Sequence, residues 1–209
     1  MSFIVEFWSR IFSFLGNISL FALVRWKFPR VVNAKFVDGW VLGHLVLAFA
    51  ALVFVAHFPA HWLALGFVFY GVLRVFEISI YQTNVLLFDE YRTVKSGTGG
   101  YVLAGYRRVV LLLLHNYFEV IVWLSSTYLF MEADFTRVWP GGSNTILGGL
   151  YSSFITMTTF GNFDLLPKTN RAALVLLFHS TVGLFMTLLS LARFISLLPV
   201  PRSDDATER

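Results

Sequence analysis

Long apolar runs alternate with short polar ones along the chain, and four of the runs are long enough to cross a bilayer. Residues 39–56 hold 18 positions with one histidine and no formal charge, and residues 172–192 hold 21 with none. About 20 apolar residues in a helix traverse the hydrocarbon core. Two further runs have the length but are interrupted. Residues 62–80 contain Arg74 and Glu77, and residues 109–131 contain His115 and Glu119. The pattern predicts four membrane helices.

Ahead of the first run, residues 2–20 alternate with helical period. Ser2, Glu6, Ser9, Ser13 and Asn17 recur on one side, with Phe3, Phe7, Ile11, Phe14, Leu15 and Ile18 on the other. That is an amphipathic helix, fitted either to the membrane interface or to a protein surface. The stretch "RWKFPRVVNAK" then reads as a basic interfacial connector. Residues 82–104 read as a cytoplasmic linker whose "SGTGG" is a turn. It lacks the Lys-Ser/Thr and the strand-to-helix setting of a phosphate loop.

The loop between the last two runs is the unusual part. Pro140, Gly141 and Gly142 break the chain, Ser143 or Asn144 can cap a new helix, and residues 144–157 keep helical register. Fourteen residues are too few to span a membrane, so this helix is expected to be re-entrant. The following "TTFGNFD" carries little helical character and returns the chain to Pro167. Irregular backbone at membrane depth is tolerated only against protein or water, and several chains about an axis can supply that surround.

Composition agrees with lipid as the solvent: 57% of residues are hydrophobic and only 13% charged, with mean hydropathy +0.71. There is no cysteine, so disulfides are excluded. Of the 16 basic residues, 12 fall on one predicted side: Arg10, Arg25, Lys27, Arg30, Lys35, Arg92, Lys95, Arg107, Arg108, Arg193, Arg202 and Arg209. The positive-inside rule puts that side, and both termini, in the cytoplasm of a cell's plasma or inner membrane. The basic surplus needs no nucleic acid. The terminus lacks the basic and small-residue signature of a cleaved signal peptide.

Residues 156–164 read T-M-T-T-F-G-N-F-D, followed by Pro167. The order span, short helix, threonine pair, glycine, acid, span resembles the pore domain of tetrameric potassium channels, whose loop usually reads T-M-T-T-V-G-Y-G-D. The resemblance covers residues 107–199. It implies an all-α membrane protein with a pore helix and filter loop between its last two spans, assembled as a homotetramer. It also implies a filter of Thr158, Thr159, Phe160, Gly161, Asn162, Phe163 and Asp164, with potassium at Thr159, Phe160 and Gly161. In such a filter backbone carbonyls replace the ion's hydration shell, and Asp164 forms an acidic outer ring. Gly183, 19 positions beyond Asp164, matches the family's hinge glycine. Leu184, Thr187 and Leu191 match its cavity-lining face, although their spacing alone equally fits helix packing.

This sequence departs from the family's pattern at three filter positions. Phe160 replaces valine, Asn162 the tyrosine and Phe163 the second glycine. A bulky residue adopts the left-handed backbone of that glycine only at a cost of about 1–2 kcal/mol. The outer carbonyl ring is therefore expected to be remodelled and potassium to be less favoured over sodium.

The remaining candidates are charged or titratable residues in the spans. Arg74 and Glu77, at i,i+3, read as a local ion pair, because a charge in the membrane usually has a partner. One arginine cannot make a voltage sensor. His115 and Glu119, at i,i+4, can touch, either as a pH-sensitive pair or as a tie to a neighbouring helix. His57 and His61 read as interfacial rather than zinc ligands, and His179 as a packing residue.

The organisation is thus 1–36 interfacial helix and connector, 37–81 two spans, 82–106 linker, 107–199 pore domain and 200–209 tail. Passive conduction of potassium, with sodium allowed, is the leading expectation; no cofactor beyond the ion, no catalytic residue and no soluble ligand domain is legible. Two other classes fit the same composition. One is a non-conducting regulatory subunit with a channel-like fold. The other is a transporter or enzyme using His115, Glu119, Arg74 and Glu77, which the absence of internal repeats disfavours.

Overall fold

The computed structural model describes residues 3–30, 33–95, 106–137, 145–158 and 165–197. Their order is α1 (Phe3–Asn17), α2 (Leu20–Lys27), α3 (Ala34–His57), α4 (Trp62–Thr83), a π-helical stretch (Asn84–Phe88), α5 (Asp89–Lys95), α6 (Tyr106–Phe130), a 3₁₀ turn (Glu132–Asp134), β1 (Phe135–Arg137), α7 (Ile146–Met157), β2 (Leu165–Pro167) and α8 (Asn170–Leu197). Four helices are long and apolar enough to cross a membrane: Ala34–His57, Trp62–Phe88, Arg107–Phe130 and Asn170–Ile195. They coincide with the four predicted runs.

Three boundaries differ from the sequence expectation, each for a local reason. The helix expected over 2–20 is α1, which stops at Asn17, and a second helix, α2, bent by 70° from it, runs into the expected connector. Ser19 starts the second by accepting a hydrogen bond from the Ala22 N–H at 2.9 Å. The connector is correspondingly shorter, since Arg25, Trp26 and Lys27 belong to α2. The expected linker is helical through Lys95, because α4 continues through the π-helical stretch into α5. There the Asn84 amide donates to Ile80 O at 3.1 Å and across to Phe12 O of α1 at 2.8 Å.

Helix α7 is capped by Thr145, whose hydroxyl accepts from Gly148 N at 3.0 Å, rather than by Ser143 or Asn144. Those two residues, the Pro140–Gly142 break, the "SGTGG" turn and residues 200–209 lie outside the described residues. The all-helical expectation has one exception among the described residues. β1 and β2 pair antiparallel, Thr136 opposite Leu166.

α6 is the central post. α3, α4, α7 and α8 all pack on it, and every residue from 120 to 129 is buried. A helix apolar and buried on all sides has protein around it, not lipid. Its own polar residues are satisfied internally: the hydroxyls of Ser125, Ser126 and Thr127 donate one turn back, to the carbonyls of Ile121, Val122 and Trp123. Trp123, fully buried, fixes how closely α4 approaches. A Cβ on Gly71 would stand 2.7 Å from its ring.

Gly71→Ala is therefore expected to destabilise the bundle by about 1–3 kcal/mol through overpacking. Gly66→Ala on the same helix, with nothing within 4 Å, should change stability by less than about 0.5 kcal/mol. Denaturant unfolding in detergent, followed by near-ultraviolet circular dichroism, measures both. Equal effects would contradict the proposed α4–α6 packing.

Candidate functional site

The twelve-residue α7 lies against α6 and α8. Gly149 lets it close on α6, where an added Cβ would meet Leu129 Cγ at 3.0 Å and Ser125 O at 3.2 Å. The Ser153 hydroxyl then ties it to Ile121 O at 2.7 Å. Its carbonyl end meets α8 at Gly183, near the middle of that helix: a Cβ there would lie 2.6 Å from Met157 O. Tyr117 of α6 donates to Met157 O at 3.3 Å and lies 3.3 Å from the Thr187 hydroxyl. Thr158 closes the end, its hydroxyl donating to Phe154 O at 2.9 Å. α6, α7 and α8 thus meet around one carbonyl terminus.

The opposite end of this unit is pinned by polar contacts. Lys168 N–H donates to Asp134 O at 2.8 Å, beside the β1–β2 pair. The Asp134 carboxylate, itself buried, takes Arg171 at 2.8 Å. Beneath it Tyr128, Phe135, Leu165 and Ala172 form a small buried cluster, and the Tyr128 hydroxyl lies 2.7 Å from His179 Nδ1.

Thr159, Phe160, Gly161, Asn162, Phe163 and Asp164 lie outside the described residues, so of the filter positions only Thr158 is placed, half-buried at the end of α7. Gly183 has a packing role visible in its contact with Met157. Leu184 and Leu191 are exposed on the single chain, at 52% and 56%, while Thr187 turns toward Tyr117. His57 bonds Val53 O of its own helix, and His61 caps α4 by accepting from Leu63 N–H at 3.2 Å. Among the described residues no group of three or more His, Cys, Asp or Glu is placed to hold a metal.

Arg74 does pair with Glu77, at 2.8 Å, but the larger partner is one the spacing did not reveal. Its Nε donates to Glu119 Oε1 at 2.7 Å and its Nη2 to Oε2 at 3.3 Å, joining α4 to α6. Trp123 Nε1 adds a third donor to Glu119 at 3.2 Å. Of the two readings of His115 and Glu119, the pair is not formed, since His115 turns back to Leu111 O at 2.7 Å, while Glu119 does tie α6 to its neighbour α4. Glu77 spends its other oxygen on Phe21 N–H at 2.7 Å, which anchors the start of α2. The usable signal was chemical: one arginine and two carboxylates stand in otherwise uncharged spans, and buried charges gather.

The N-terminal helices are clasped to the same layer. Lys95 of α5 reaches Glu6 of α1 at 3.1 Å, and Arg92 bonds Ser9 O at 3.0 Å and Asn84 Oδ1 at 2.6 Å. The Lys95 ammonium, with Arg10, holds the Glu6 carboxyl below its ordinary range, and Glu6 raises Lys95 in turn. Burial pushes the Asp89 carboxyl up, against the pull of Arg92 and Arg25. No protein-family model, curated protein or solved structure matches the chain.

Two outcomes follow. Arg74→Leu leaves two buried carboxylates without a cation and should cost about 3–5 kcal/mol. Glu119→Gln leaves a neutral Arg74–Glu77 pair and should cost clearly less; equal losses by denaturant unfolding would contradict the shared guanidinium. The Glu6–Lys95 clasp has a folded-state pKa lowered on its acid and raised on its base. Its contribution is therefore full between the two ordinary values and is lost as pH falls through the folded Glu6 value. Spin labels at Phe7 and Val94 should give a narrow distance distribution at neutral pH that broadens only in acid, below the ordinary glutamate range. An unchanged distribution would rule the clasp out.

Proposed function

We propose that the chain is one quarter of a tetrameric cation channel of the potassium-channel type, with residues 159–164 as its filter. The observation that carries this reading is the placement of α7. Its carbonyl end stops against Gly183, while the β1–β2 pair keeps the approach to α7 and the exit from residues 159–164 together at the start of α8. Leu165 packs beside Ala172, and Ala172 and Gly183 are eleven residues apart on α8, a rise of about 16 Å. A helix that enters and a chain that leaves at the same end form a re-entrant unit.

The proposed chemistry follows from that placement. The last turn of α7 presents carbonyls, the partly negative end of its dipole, at mid-membrane, where it favours a cation. Carbonyls of Thr159, Phe160 and Gly161 from four chains would take over its hydration. The exposed stripe of Leu177, Leu184, Leu188 and Leu191 on α8 is an apolar face for neighbouring chains and for the cavity below the filter. In this reading the basic residues of α1, α2 and α5 face the cytoplasm, and both termini lie on that side of a cell membrane. In this reading the ion passes down its gradient and no covalent step occurs.

The test is ion flux through purified protein in liposomes. Wild type should pass potassium and, to a lesser degree, sodium. Phe163→Gly should raise the potassium-to-sodium ratio by restoring a left-handed backbone position. Absence of flux from both, in protein shown to be tetrameric, would contradict conduction.

A further inference from the structure

A cavity of about 210 Å³ opens between the α1–α2 elbow, α3 and α4, apart from the α7–α8 unit. It follows one face of α4 from Arg74 and Glu77, past Ile78 and Tyr81, to Asn84 and on to Asp89 and Arg92 of α5. Its two ends carry opposite charge. At the deep end one guanidinium serves two carboxylates, Glu77 and Glu119, so the formal sum is +1 − 2 = −1. At the shallow end Arg25 and Arg92 face Asp89, and the sum is +2 − 1 = +1.

Two polar atoms on the wall have no hydrogen-bond partner. Asn116, 4% exposed, lines the deep part, and its Oδ1 is buried without a donor. Trp40 Nε1 is a buried donor without an acceptor. Buried polar atoms are satisfied in the great majority of folded proteins, so each orphan asks for a missing partner. At the deep end Asn116 Oδ1 needs a donor, and the negative charge beside it favours one that is also positive.

The spacing narrows the ligand further. Glu77 and Asn84 are seven residues apart on α4, a rise of about 10 Å, and the Arg92 guanidinium sits at the level of Asn84, bonded to its Oδ1. An ammonium two carbons from a phosphate, with a hydrogen bond of about 2.8 Å at each end, spans that gap. A quaternary ammonium has no N–H to offer Asn116.

We propose that this cavity binds a primary ammonium joined through a two-carbon linker to a phosphate, the ammonium at Asn116 Oδ1 and Glu77, the phosphate at Arg92 and Arg25. The group has two sources, an ethanolamine phospholipid headgroup and free phosphoethanolamine. The site stands independently of conduction: flux can fail while the binding remains.

The experiment is native mass spectrometry of the purified full chain carrying phosphatidylethanolamine or phosphatidylcholine of identical acyl chains. A parallel thermal-unfolding series uses free phosphoethanolamine. Loss of one charge-assisted hydrogen bond predicts roughly tenfold preference for the primary amine. Asn116→Leu should abolish that preference. Should that variant not fold, Arg25→Gln, which removes one phosphate-side cation, should reduce retention of both lipids. Headgroup preference without a response to the free solute supports a lipid source, and a thermal shift with the solute alone supports a soluble one. Equal retention of both lipids together with no shift overturns the proposal, as does full preference in Asn116→Leu or undiminished retention of both lipids in Arg25→Gln.

Discussion

A helix that ends inside an apolar bundle leaves its last carbonyls to be accommodated there, and α7 is such a helix. The surrounding residues read as answers to that constraint. Gly183 clears space for Met157 O, Tyr117 donates to it, and the Thr158 hydroxyl turns back onto the last turn. Gly149 and Ser153 hold the helix against α6 at the angle that makes this meeting possible. Asp134, Lys168 and Arg171 fix the other end. In the proposed channel this arrangement would matter because a carbonyl terminus held in low dielectric is a cation-favouring feature that water does not screen.

The first two spans give α6 its environment. With α3 and α4 on one side and α7 and α8 on the other, α6 is buried from residue 120 to 129, and exposed apolar surface is carried instead by α3, α4 and α8. The ion network of Arg74, Glu77 and Glu119 sits in that contact. A buried network of this kind is weak evidence for stability, because desolvation offsets much of the attraction. It is strong evidence for geometry, since Arg74 leaves α4 one orientation relative to α6. Through Glu77 and Phe21 N–H the same charge group also sets the start of α2, so the α1–α2 elbow and the α4–α6 contact share one anchor.

The four spans were legible because apolar length is a property of sequence alone, and α7 was legible because the proline–glycine break and its short helical run are local. What could not be read was anything carried by contact between distant residues. Glu119 stands 45 positions from Arg74, and its i,i+4 spacing to His115 suggested a pair that the backbone carbonyl of Leu111 outcompetes. α2 was not read, because it lies past the amphipathic run and partly in the basic connector, and its start is set by the Ser19 cap. The glycine match at Gly183 was legible as a spacing; its close approach to Met157 was not. Phe160, Asn162 and Phe163 were legible as departures, and their consequence for ion preference rests on the proposed filter.

The central claim is that several copies of α7 and α8 surround one axis, since a single chain cannot enclose a conduction path with one loop. The measurement that bears on it most directly is the number of chains per particle for the protein in lipid nanodiscs, counted by mass. The account predicts four. A particle with one or two chains across the working concentration range would contradict it.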